Sequence, residues 1–249
     1  MAGQITLYKD EQRSLPLTNG LWTTTVDLGT ATIPNVGSNP QPPVPCYGKN
    51  TGTTTIQNIY ITPISGGGMG GSQLASDTDI TSDNAGTAGT FGSDGTQVLV
   101  YTGNLEPAAP APSTNTTSNV SNPTTQPTLS IGPSATRLHA GTYTLAYTFV
   151  GTNGETNLSP TSAITIAAGQ SVQVSAISLI TNATGVKFYL SYRSNDPSLF
   201  YAGSNGGAAQ IELMGAKGFF EFWVRQNVKS TDTPGIKQAR LQIDATDIG

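Results

Sequence analysis

Residues 141–155, GTYTLAYTFVGTNGE, decide the fold. Tyr143, Leu145, Tyr147 and Phe149 fall on one side of an extended chain, with Thr142, Thr144, Ala146 and Thr148 on the other. That period of two belongs to a strand with one buried face. A helix needs apolar residues at three- and four-residue spacing, which this run lacks. GTNGE then supplies a turn, since Asn153-Gly154 takes positive φ at low cost. Further short runs follow, AITI, SVQVSAI, GVKFYLSYRS, LFYAG and AQIEL, each bounded by Gly, Ser, Asn or Pro. In GVKFYLSYR, Val186, Phe188, Leu190 and Tyr192 again share a face. Residues 129–215 therefore read as a β-sandwich whose Tyr-Leu-Tyr-Phe face is core and whose Thr face meets water.

The composition extends this reading to the whole chain. Charged residues are 10% of 249, against roughly 25% in an average domain, while Gly (29) and Pro (16) are frequent. No stretch sustains the Glu, Lys, Arg, Leu and Ala pattern of a long helix, so the expected class is all-β. A net charge of -4 with eleven scattered basic residues excludes a counterion-displacing nucleic-acid binder. No apolar run reaches the ~18 residues of a membrane span. The opening MAGQITLYKDEQRSLPL lacks the charged start and apolar core of a secretory signal, so synthesis in a cytosol and no membrane insertion are expected. One cysteine, Cys46, rules out an internal disulfide framework and reads as a small packed residue.

Outside the sandwich, QITLYKD, WTTTVDLGTATI, TTTIQNIYITPI and TQVLVYTG are strand material. In the third of these, Ile56 and Tyr60 are out of step with Ile59 and Ile61, which implies a bulge or burial on both faces. The proline-dense residues 34–46 should break regular structure. The Gly-rich residues 65–95 read as a long loop, and residues 104–128, rich in Pro, Ser, Thr and Asn, as a linker with nothing to bury. The last stretch contains strand candidates at 219–228 and 237–245 around the turn STDTPGI, a hairpin too small to stand alone. Residues 1–103 are short of strands, so the C-terminal hairpin should return to them. The expected organisation is a discontinuous β domain, 1–103 with 216–249, a linker at 104–128, and an inserted sandwich at 129–215.

The search for chemistry is mostly negative. His139, the one histidine, has no nucleophile elbow or other catalytic signature around it and reads as a loop residue. Asp77, Asp79 and Asp83 have intervals that suit oxygen ligation of Ca2+, yet Ser82 and Ala88 stand where a calcium loop has its Gly and closing Glu. Turn-forming aspartates explain them equally well. Trp22, Trp223, Tyr189 and Tyr201 are the aromatics available to stack on sugar, with core packing as the default explanation. SGGGMGG neither follows a strand nor opens a helix, so it is no phosphate loop. Arg225 and Lys229 are candidate assembly contacts, or edge-strand charges that discourage unwanted pairing. No cofactor is expected, and nothing points to an enzyme.

The strand count and spacing from 129 to 215 suit an immunoglobulin-like sandwich. The same run resembles the immunoglobulin-like or fibronectin-III-like domains of tailed-bacteriophage virion proteins. The marks are the Tyr-rich strand, the turn carrying Gly154, Glu155, Ser159 and Pro160, and a Val-x-Phe-Tyr-Leu strand followed by Tyr-Ala-Gly. The segment FFEFWVRQNVKSTDTPGIKQARLQI is similar to the last strands of phage structural proteins. The resemblance covers a little under half the chain. It implies a non-enzymatic virion protein, above all a capsid decoration protein that binds the major capsid protein, forms homo-oligomers on the particle and displays the sandwich. A tail, baseplate or fibre component is the alternative, and a module binding cell-surface glycans is a reading of another class.

Overall fold

The computed structural model describes residues 4–8, 10, 11, 13, 16, 23–30, 37–64, 78–117, 119–136, 138–207, 209–230 and 236–248. Among these the chain is all-β, a set of antiparallel sheets without a helix. It divides into two units, unit 1 from Met1–Pro107 and Gly218–Gly249, and unit 2 from Ala108–Lys217.

The first seven strands belong to unit 1: β1 (Ile5–Tyr8), β2 (Thr23–Thr30), β3 (Ser38–Pro40), β4 (Val44–Asn50), β5 (Ile56–Pro63), β6 (Thr78–Ser82) and β7 (Val98–Tyr101). Unit 2 holds β8 (Leu129–Ala135), β9 (Gly141–Gly151), β10 (Gly154–Glu155), β11 (Ser162–Ile166), β12 (Gln170–Val174), β13 (Gly185–Ser191), β14 (Leu199–Asn205) and β15 (Ile211–Leu213). The chain then returns to unit 1 with β16 (Phe219–Lys229) and β17 (Ile236–Asp247).

The expected C-terminal hairpin does not form. β16 lies between β4 and β6 in one sheet, and β17 lies between β2 and β5 in the other. Their alternation explains the separation. Every second residue of β16, Phe220, Phe222, Val224, Gln226 and Val228, is buried. β17 sends Ala239, Leu241 and Ile243 into the same apolar cluster from the opposite sheet. Both strands thus keep their apolar faces in one core while taking their backbone partners in different sheets.

β5 settles its register with a bulge. Asn58 adopts φ 50°, and two residues of β5 stand opposite one of β17 between Gln57 and Tyr60. The extra residue returns Ile59 and Ile61 to the side of Ile56, all three buried, and turns Tyr60 outward. The proline-dense stretch is more regular than expected, because β3 and β4 run in succession along β16. β1 pairs with β4 only from Tyr47 onward, so among the described residues Pro40 and Pro45 lie where the far side of the ribbon has no partner strand and a missing N–H breaks no ladder. Gly48 is a packing requirement in this sheet. A Cβ there would stand 2.1 Å from the Phe220 ring, which occupies the gap between Gly48 and its neighbours. Gly48→Ala is expected to cost about 1–3 kcal/mol through overpacking, read as a lower urea midpoint. An unchanged midpoint would mean that the ring relaxes freely.

Unit 2 is a second sandwich. β8, β12 and β15 form one sheet in the order β15-β12-β8; the other runs β10-β9-β13-β14, with β11 also on β9. Tyr143, Leu145, Tyr147 and Phe149 of β9 pack with Val172, Val174, Val186, Phe188 and Leu190, as their alternation requires. The Thr face departs from expectation. Ala146 and Thr148 are fully buried, because Tyr189, Leu199, Tyr201, Leu158 and Ala111 make a small second cluster there.

Ala111 comes from the stretch read as a linker with nothing to bury, and that reading needs correction. Leu105 is buried in unit 1 and exchanges backbone hydrogen bonds with Ile56. In unit 2, Tyr201 N–H donates to the Ala109 carbonyl and Ala111 N–H to that of Leu199, so residues 109–111 extend the sheet beyond β14. Thr116 N–H then donates to the Glu155 carbonyl at the opposite edge, and Val120 enters the main core. The segment crosses the sheet face. Its composition hides this because small residues and backbone groups make most of the contacts. The β9–β10 turn is Thr152-Asn153, one residue earlier than expected, between paired Gly151 and Gly154. Gly154 has φ 149°, and a Cβ on it would strike Thr116 Oγ1, so this glycine admits the crossing segment.

Candidate functional site

The outward residues of β16 are Phe219, Glu221, Trp223, Arg225, Asn227 and Lys229, and each is only half-exposed. In unit 1, two pieces of chain account for their cover. Arg13 reaches Glu221 at 3.3 Å and lies over the rings of Phe219 and Tyr47, 4.9 and 5.4 Å from their centres. Lys49 also faces Phe219, and burial together with the Arg13 charge lowers its pKa. Burial, reinforced by the carboxylates of Glu221 and Glu11, pushes the Tyr47 phenol up.

The second cover is the loop between β6 and β7, residues 83–97. Asp83 accepts a hydrogen bond from Trp223 Nε1 at 3.0 Å and from Gly86 N–H, making the first turn of the loop. Phe91 lies beneath the Arg225 guanidinium, 4.0 Å from ring centre to Cζ. Arg225 donates through two nitrogens to Asp79 Oδ2, both at 2.9 Å. Asn227 Nδ2 donates to both carboxylate oxygens of Asp94, at 3.2 and 3.4 Å. Gly89 N–H and Gly95 N–H close the loop onto the carbonyls of Ser82 and Thr78.

The residues singled out in the sequence thus have specific occupations. Asp79 is an ion-pair partner and Asp83 a turn and indole acceptor, while Asp77 lies outside the described residues. Asp79 and Asp83 stand four residues apart along extended chain, about 13 Å, which keeps them from converging on one ion. Arg225 is tied up inside unit 1 on a stretch of β16 paired with β6, so the edge-protection reading fails for it, while Lys229 pairs with Ser38 of β3 beyond the end of β6. Trp22 lies outside the described residues. Tyr189 is buried, and Trp223 and Tyr201 are half-buried with their polar atoms bonded to Asp83 and Ser204. Tyr189 is thereby removed as a sugar platform. The Cys46 thiol is fully buried and its pKa is pushed up to about 12, so it remains a neutral packed group rather than a nucleophile. The His139 carbonyl accepts the Tyr143 hydroxyl at 3.2 Å within unit 2.

The motif Gly154, Glu155, Ser159, Pro160 acquires a structural meaning in unit 2. Ser159 Oγ accepts from Tyr147 N–H and donates to the Pro160 carbonyl, and Thr156 Oγ1 accepts from Phe149 N–H. The backbone N–H groups of Thr156 and Ser159 donate to the carbonyls of Phe149 and Tyr147, and the two hydroxyls accept from the N–H groups of the same residues, so each completes a pair with β9. Glu155 accepts from Lys187 Nζ at 2.6 Å, from Thr148 Oγ1 at 2.9 Å and from the Tyr189 hydroxyl. Burial and the Glu155 carboxylate push the Tyr189 phenol up, so it stays a donor. The hydrogen bonding of β16 to the 83–97 loop was missed in the sequence. Its one signal, the alternation of aromatic, charged and amide residues opposite the apolar face of β16, reads equally well as a solvated surface.

Among the described residues no helix is long and apolar enough to cross a membrane. No family model matches the chain, and comparison with curated proteins and with solved structures returns no match.

Proposed function

We propose that the protein is a non-enzymatic structural component of a tailed-phage virion, a capsid decoration protein that attaches through unit 1 and displays unit 2. The observation that carries the reading is the organisation of the chain. A self-contained sandwich is inserted between two segments of another. An immunoglobulin-like assignment would take β8 and β12 as B and E, β9, β13 and β14 as C, F and G, and β11 as the added C′, with β15, which follows β14 and pairs with β12, outside that scheme. The motif residues Glu155 and Ser159 are occupied within unit 2, Glu155 by Lys187, Thr148 and Tyr189 and Ser159 by the Tyr147 N–H, which suits a display module better than a catalytic one.

The expected partner is the major capsid protein, with homo-oligomers formed on the particle surface, and neither nucleic acid nor cofactor takes part. Purified protein is expected to co-sediment with phage heads that lack it and to saturate at a fixed number of copies per shell. Failure to bind such heads at any ionic strength, with binding to tails or fibres instead, would move the assignment to a tail component. A glycan-array hit abolished by Trp223→Ala would replace both by a carbohydrate-binding module.

A further inference from the structure

We propose that a proton held on the orphan Oδ1 of Asp79, facing the Asp94 carboxyl, locks the 83–97 loop onto the outer face of β16. The side chain of Asp79 is 1% exposed. Its Oδ2 takes both Arg225 donors, whereas Oδ1 is buried with no hydrogen-bond partner. The Asp94 carboxyl, half-buried and anchored by Asn227, is brought beside β6 by the bond from Gly95 N–H to the carbonyl of Thr78, the residue before Asp79. Two carboxylates thus meet at a site served by one guanidinium. A proton between them removes the repulsion and satisfies the orphan oxygen in one step.

Among the described residues the surroundings offer little other compensation. On β6 itself, Asp83 is engaged by Trp223 and Gly86. On β16, Lys229 lies on the same face as Arg225 but four residues further along, about 13 Å away. The β3–β4 ribbon on the other side of β16 brings Pro40, Gln41 and Pro45 to this stretch and no charge. In the loop, the neighbours of Asp94 are Phe91 and small polar residues. A bound cation is a poorer solution, because the Arg225 charge already occupies Oδ2.

Burial, then the Asp94 carboxyl, raise the Asp79 pKa from 3.8 to about 6 against the opposing pull of Arg225. The closed loop therefore binds the proton more tightly than the open one. Closure is strongest below the ordinary carboxylate range, weakens as pH rises through about 6, and changes little beyond that. Opening exposes the Trp223 and Asn227 side chains.

Hydrogen exchange of the Gly89 and Gly95 amides in the full chain, corrected for intrinsic rates, tests the lock between pH 4 and 8. Protection is expected to fall by up to roughly a hundredfold over that range. Asp94→Asn places an amide donor opposite Asp79 Oδ1, so it should flatten the profile and raise protection at pH 8. Asp79→Asn should also flatten it, and a carboxyl 13C titration of the wild type should show a group near pH 6 that moves down in Asp94→Asn. Protection independent of pH in the wild type would overturn the proposal. Lower protection of Asp94→Asn at pH 8, or full restoration of wild-type protection there by millimolar Ca2+, would do the same.

Discussion

Phe222→Ala is expected to destabilise unit 1 by about 3–5 kcal/mol while leaving the unfolding of unit 2 in place. Phe222 is fully buried in the middle of β16, stacked beside Phe220 at 6.2 Å between ring centres, within the cluster formed by both sheets of unit 1. Truncation to a methyl removes the ring from contact with both layers, and the strands on either side of β16 cannot close in without breaking their ladders to it. The cost is therefore a transfer loss plus a cavity. Both tryptophans, Trp22 and Trp223, belong to unit 1, so their fluorescence reports on that unit alone. In a urea titration the fluorescence midpoint should drop sharply, while the circular dichroism change belonging to unit 2 should keep its midpoint. Equal shifts in both signals would show that the two units unfold as one cooperative body and that the division is only geometric.

The same residue shows what was legible in advance. The strand candidate at 219–228 was legible, and the shortage of strands in residues 1–103 announced where it would go. Pairing partners were less accessible. A short turn between two strands usually makes a hairpin, and only the presence of a strongly apolar face on each strand argues that they should face rather than adjoin one another. The crossing segment at 109–120 was hidden for a different reason. It is held by backbone hydrogen bonds and by Ala111 and Val120, and composition reports the scarcity of large side chains without reporting where the backbone donors and acceptors go. The Asp79–Arg225 and Asp94–Asn227 contacts join residues more than 130 positions apart, so no local spacing can reveal them. The bulge at Asn58 was half visible, since the misfit between Ile56 and Ile59 required either an extra residue or a second buried face, and only the structure chooses.

Glu155→Ala carries the largest expected effect in unit 2, a loss of about 2–3 kcal/mol at neutral pH. The substitution leaves the buried Tyr189 hydroxyl without its acceptor and Lys187 without its ion-pair partner. Most of the cost belongs to Tyr189, which is 3% exposed; the Lys187 side chain is 37% exposed and regains water when its partner is removed. Burial alone would raise the Glu155 pKa, but hydrogen bonds from Lys187, Tyr189 and Thr148 outweigh it and hold the carboxyl below its ordinary range. With the folded pKa depressed, the charged form stabilises unit 2 above the unfolded value of 4.5, and that contribution disappears as pH falls through the folded value. The gap between wild type and Glu155→Ala should therefore be full at pH 7 and should narrow below about pH 4.5. Thermal melts of unit 2 followed by circular dichroism across pH 3.5–7 measure it directly, with tryptophan fluorescence confirming that unit 1 is unaffected. A gap that widens in acid would mean that the protonated carboxyl is the form the fold prefers, and the role assigned to Lys187 would then be wrong.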